Sequence, residues 1–160
     1  MRTLVISDLH LGAGHGRAAL DDSSIVEALS TAIAPVDRLV LLGDIIELRQ
    51  GSLQDALAAA SRILPQLVSG LGEGREVILL MGNHDHQLRV HSEALGQVEW
   101  MLSQNGNAVR IEYPGVWLRD DVYADHGHYL DRQLAPACDV VLPFVGTSFE
   151  QLTGAQRDLF

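Results

Sequence analysis

Polar residues able to hold a cation recur where apolar runs stop. Leu4-Val5-Ile6 runs into Ser7-Asp8-Leu9-His10, and Leu39-Val40-Leu41-Leu42 runs into Gly43-Asp44. Val77-Ile78-Leu79-Leu80-Met81 runs into Gly82-Asn83-His84-Asp85. His126-Gly127-His128 comes directly after Val122-Tyr123-Ala124-Asp125. Carboxylate and amide oxygens suit hard divalent cations, and imidazole suits manganese, iron and zinc. Asp8, His10, Asp44, Asn83, His84, Asp85 and His126 therefore form a candidate ligand set. Asp44 stands alone after a glycine, as a carboxylate shared by two cations would. Two cations about 3.5–4 Å apart can clamp the attacking and leaving oxygens of an in-line displacement. Each Asp or Asn taken singly is equally a turn former or a helix cap. The ordered set is what points to metal.

Strand ends must bring these residues together. Residues 3–7, 38–42 and 76–81 read as strands, and the last two are continuous apolar runs of the kind buried on both faces. In open α/β sheets, ligands bind beyond the carboxyl ends of the strands. The spacing predicts a helix over roughly 24–34, capped by Ser23 or Ser24 and ended by Pro35. A second helix is expected over 52–70 with Ser52 as cap, kinked or divided by Pro65. A third is expected over 91–105, with Gly106 at its end. Residues 108–112 read as a fourth strand, and 116–118 with 122–124 as a hairpin. Residues 140–142 suggest a strand and 148–160 a weak helix. Leu9 to Asp22 reads as a loop, and its glycines match a dinucleotide fingerprint only superficially. Trp100, Trp117 and Tyr123 are expected to pack in the core or at an interface.

The 160 residues suggest a single domain over 1–160. Strands alternating with helices and then a hairpin predict an α/β layered fold. The single Cys138 excludes an intrachain disulfide and a multi-cysteine zinc site. The N-terminus does not read as a secretory signal, and no apolar stretch approaches the ~20 residues of a membrane span. A cytoplasmic protein is the expectation. The net charge is −10, and every Lys/Arg position is an Arg. Binding to long nucleic acid rests on neutralising many phosphates, so a small phosphorylated substrate is the better expectation.

Asp8-Leu9-His10, Gly43-Asp44 and Gly82-Asn83-His84-Asp85, with His126-Gly127 later, resemble the calcineurin-like metallophosphoesterase family over residues 4 to about 130. The resemblance implies a layered α/β sandwich with two divalent cations, manganese first and iron or zinc as alternatives. It implies that Asp8 and His10 hold the first cation, that Asp44 bridges, and that Asn83 and His126 hold the second. It makes His84 the general acid and Asp85 the group that orients the His84 ring. The implied reaction is hydrolysis of a phosphate monoester, diester or diphosphate by metal-activated water. Gly43-Asp44-Ile45-Ile46-Glu47 and His126-Gly127-x-Tyr129-Leu130 look most like the UDP-2,3-diacylglucosamine pyrophosphatase branch.

The family's late Gly-His-x-His has no counterpart, since the histidines lie at 10, 15, 84, 86, 91, 126 and 128. His128 is an additional candidate ligand. The resemblance thus describes a sandwich incomplete at its C-terminal end, with an uncovered sheet edge through which copies can associate. A catalytically weak chain, a fragment of a longer phosphoesterase and a non-catalytic interaction scaffold are the alternatives. A nuclease of the same fold is disfavoured by charge. Glu47 is either a hydrogen-bond partner of a ligand histidine or an ordinary surface carboxylate. Arg17 and Arg49 are either phosphate partners or solvated, and His15 and His86 face solvent or substrate.

Overall fold

The computed structural model describes residues 1–14, 20 and 22–128. The chain divides into two compact units, Met1–His126 and Gly127–Phe160. The first unit carries the elements below. The expected elements at 140–142 and 148–160, and residues His15 and Arg17, lie outside the described residues.

Four strands, β1 (Thr3–Ile6), β2 (Arg38–Leu42), β3 (Glu76–Leu80) and β4 (Ala108–Glu112), pair in parallel in the order of the sequence. Helices α1 (Ser23–Ile33), α2 (Leu53–Gly70) and α3 (Ser92–Leu102) make the three crossovers. Right-handed crossovers that always step the same way place all their helices on one face. Strand alternation then divides the side chains. Leu39, Leu41, Val77 and Leu79 join Ile33, Ala60, Leu64, Leu67, Val98 and Leu102 in the larger core. Val40, Ile78 and Leu80 point the other way and meet Val116 of a hairpin, β5 (Gly115–Arg119) and β6 (Val122–Asp125). Each fully buried Leu, Ile or Val of these layers contributes roughly 1.5–3 kcal/mol relative to exposure.

Several local expectations are corrected. The cap of α1 is Asp22, whose carboxylate accepts from the Ser24 amide at 2.8 Å and the Ser24 hydroxyl at 2.7 Å. Helix α2 runs through Pro65 undivided. The carbonyl that Pro65 cannot pair with belongs to exposed Ser61, where water can satisfy it, while buried Leu64, Leu67 and Val68 hold the helix on the sheet. Trp100, Trp117 and Tyr123 are not in the core, being 65%, 62% and 44% exposed. Val116 and Ala124 take the inward face of the hairpin, which turns Trp117 and Tyr123 outward as an edge-to-face pair with centroids 5.1 Å apart. Among the described residues, no helix is long and apolar enough to cross a membrane.

Past their carboxyl ends, β1 and β2 stay stitched together. Asp8 N–H donates to Gly43 O at 3.1 Å, His10 N–H to Asp44 O at 2.9 Å, and Leu11 N–H to Ile45 O at 2.9 Å. Leu48 N–H reaches the loop after β3 through His84 O at 3.2 Å. These bonds carry the pairing of β1 and β2 past the sheet edge.

Candidate metal centre

Asp8, His10, Asp44, Asn83, His84 and His126 converge at this edge from four separate segments. Asp8, His10 and Asp44 have positive φ values of 58°, 46° and 54°. Left-handed backbone is costly for residues with a Cβ and concentrates at functional sites. Here the loop bonds just described hold it in place.

Asp44 is the hub. Its Oδ1 accepts from His84 N–H at 2.8 Å. Its Oδ2 lies 3.1 Å from His126 Nε2 and 4.0 Å from His10 Nε2. Asp8 Oδ1 lies 3.8 Å from the same His10 nitrogen. Ligating atoms of Asp8, His10 and Asp44 all fall within 4.8 Å of one another. Two glycines make this closeness possible. A Cβ on Gly82 would run into Asp44 Oδ1 and would lie 2.7 Å from His126 Cδ2. A Cβ on Gly43 would lie 2.5 Å from His126 Nδ1.

The three imidazoles share one device. His126 Nδ1 donates to Leu42 O at 2.7 Å, because a carbonyl can only accept. His10 Nδ1 and His84 Nδ1 both donate to Glu47 Oε2, at 3.1 and 2.7 Å. With each Nδ1 anchored, Nε2 of His10 and of His126 is turned toward Asp44, and in the metal-free protein His126 Nε2–H donates to Asp44 Oδ2. An oriented tautomer of this kind is what a metal-ligating histidine needs. The rings of His10 and His84 meet edge to face, 4.7 Å apart.

Glu47 is 2% exposed, and its other oxygen accepts from the amides of Arg49 at 2.8 Å and Gln50 at 2.9 Å. Of the two roles open from sequence, the structure shows the hydrogen-bond partner, and for two histidines at once. His10, Glu47 and His84 also have ligand atoms within 4.8 Å of one another. Contacts of 2.7–3.1 Å to Nδ1 are hydrogen bonds in length, so Glu47 serves as the orienting acceptor. The signal was its place three residues after Asp44.

Asp85 is corrected accordingly. It does not orient the His84 ring. Its carboxylate is fully buried and faces backbone: Oδ1 accepts from Gly82 N–H at 2.6 Å, and Oδ2 from Ile45 N–H at 2.7 Å and Ile46 N–H at 3.4 Å. It pins the Asn83-His84 loop to the Asp44 loop from beneath. His86 is also less open than expected, since its Nδ1 meets Asn83 O at 3.0 Å. His128 belongs to the second unit and remains a sequence expectation.

The electrostatics follow the geometry. Burial pushes Asp44 up, but the hydrogen bonds from His126 and the His84 amide outweigh it and hold Asp44 below the usual carboxylate range. Burial likewise opposes Glu47, and the Arg49 amide and His84 ring bring it below its ordinary value. The Asp44 hydrogen bond lifts His126 to about 9 against the cost of burial. Burial raises Asp85 to about 6 despite its three amide donors. Ionised carboxylates, an amide and imidazoles with Nε2 turned inward fit divalent cations. Asp8, His10 and Asp44 would hold one, and Asp44, Asn83 and His126 a second.

A profile of the calcineurin-like phosphoesterases matches residues 1–150. No curated protein and no solved structure shows a significant match to the chain.

Proposed function

The chain belongs to the calcineurin-like phosphoesterase family, and from that premise we propose that it hydrolyses a small phosphate ester or diphosphate with two divalent cations, manganese foremost. The observation that carries the reading is the common anchoring of His10, His84 and His126 through Nδ1. It leaves Nε2 of His10 and His126 beside the Asp44 carboxylate. Cations bound there supply a water of lowered pKa and neutralise charge on the phosphoryl oxygens. Asp44 would be the shared ligand, a role supported by its Oδ2 lying 4.0 Å from His10 Nε2 and 3.1 Å from His126 Nε2. Glu47 keeps the Nδ1 proton of His84, so a proton handed to the leaving oxygen departs from Nε2. Asp85 acts only through the backbone it fixes. The narrower assignment to a diphosphate substrate is supported by the resemblance of Gly43 to Glu47 to the UDP-2,3-diacylglucosamine pyrophosphatase branch.

Manganese content and bis(p-nitrophenyl) phosphate turnover, measured on one sample, test the proposal. About two manganese ions per chain with turnover that disappears in Asp44→Asn is the expected result. No manganese and no turnover would replace it with the scaffold reading.

A further inference from the structure

Asn83 lies between a carboxylate and a cation. With both ends of its amide satisfied, Nδ2 donates to Asp44 Oδ2 at 3.2 Å and Oδ1 accepts from Arg49 Nη1 at 3.1 Å. Asn83 is buried and Arg49 is exposed, so the guanidinium reaches in from the rim. Its backbone is fixed nearby, since the Arg49 amide donates to Glu47 Oε1.

The proposed role of Asn83 as a ligand conflicts with this arrangement. A primary amide has a single oxygen, and only that oxygen can hold a cation. In the orientation above, Oδ1 is turned to Arg49 and the NH2 group to Asp44. For Oδ1 to face Asp44 the amide must turn over. Its NH2 group then meets the guanidinium, and two groups that can only donate are opposed. Arg49 has no acceptor with which to adapt, so it has to leave.

We infer that Arg49 competes with the second cation for Asn83 Oδ1, and that its displaced guanidinium receives the phosphate group of the substrate. The inference rests on the proposed metal centre. A planar fork of donors matches phosphate oxygens in a bidentate way, which an ammonium does not. Loading the centre and arming the phosphate contact thereby become one event. Because a guanidinium–amide hydrogen bond must break first, the competition weakens the second site by about tenfold, the lower end for bonds to charged groups.

The test uses the full chain with Arg49 wild type, Arg49→Met and Arg49→Lys. Manganese is titrated calorimetrically into each protein, and inorganic phosphate into each manganese-loaded protein. Arg49→Met should bind manganese at the weaker site about tenfold more tightly, and phosphate about tenfold more weakly, if one charged hydrogen bond is exchanged in each case. Arg49→Lys keeps the charge and an N–H donor without the fork, and should bind phosphate more weakly than wild type. Equal manganese affinity in wild type and Arg49→Met would overturn the inference and leave the metal centre standing. Phosphate affinity equal to wild type in Arg49→Met or Arg49→Lys would overturn it too, because the guanidinium fork would then not be the phosphate contact. A wild-type chain that binds no manganese would remove both the inference and the reading beneath it.

Discussion

Glu47→Gln is nearly isosteric, yet it should disable the centre. The Gln oxygen can still accept from the Arg49 and Gln50 amides, now 2.8 and 2.9 Å from Oε1. Its NH2 group then takes the place of Oε2, which lies 3.1 Å from His10 Nδ1 and 2.7 Å from His84 Nδ1. Both imidazoles would have to accept there, so each would carry its proton on Nε2. For His10 that is the nitrogen beside Asp8 and Asp44. A protonated Nε2 cannot ligate. Loss of an orienting partner typically costs 10–100-fold in metal affinity, and the wrong tautomer puts Glu47→Gln at the upper end, about 100-fold. The fold should survive, with stability within about 1 kcal/mol of wild type, because every polar group keeps a partner. Glu47→Ala should do the reverse. It strands two amides and two ring N–H groups, costing roughly 1–3 kcal/mol for each one left unsatisfied, but it leaves the tautomers free. Manganese titration and urea unfolding on both variants give the answer. If Glu47→Ala loses more metal affinity than Glu47→Gln, the tautomer argument is wrong.

Other outcomes follow from the same geometry. Gly82→Ala places a methyl against Asp44 Oδ1 and His126, and should lower stability by about 1–3 kcal/mol, as overpacking does, with loss of metal in the same titration. His84→Ala should retain manganese and lose about 10²–10⁴-fold in turnover, the range for a missing general acid; a variant that loses metal instead would make His84 a ligand. The metal-free protein should lose stability as pH rises. His126 is lifted from 6.5 to about 9, so its contribution is complete below 6.5 and disappears as pH passes through 9. Manganese affinity should climb across the same interval, since His126 must shed its proton to ligate, and urea midpoints and titrations from pH 6 to 9 should move in opposite directions.

The parallel sheet was legible because its strands are nearly continuous apolar runs, and the centre because each run ends in the same kinds of polar residue. What stayed hidden is side-chain direction. Glu47 and Asp85 are both acidic residues close behind a ligand. Spacing alone does not tell that one turns up to two imidazoles and the other down to three amides. The resemblance assigned ring orientation to Asp85, and packing reassigned it to Glu47. Asp22, one residue ahead of two serines, was a capping residue hidden among alternatives equally suited to the task. Pro65 was legible as a breaker but not as tolerated, since tolerance depends on Ser61 lying at the surface. Of the core and interface positions expected for Trp117 and Tyr123, the core is ruled out, because a hairpin with one covered face offers its other face to large side chains as well.

The centre draws on residues near positions 8, 44, 83 and 126, at the ends of strands paired only with their neighbours in sequence. A chain that has paired β1 with β2 has the residues that would hold the first cation, but not those that would hold the second. A cation that needs Asp44, Asn83 and His126 would recognise only a chain in which β2, β3 and the hairpin are all in place, and would stabilise that state by mass action. Occupancy of this second site should therefore slow unfolding more than it speeds refolding.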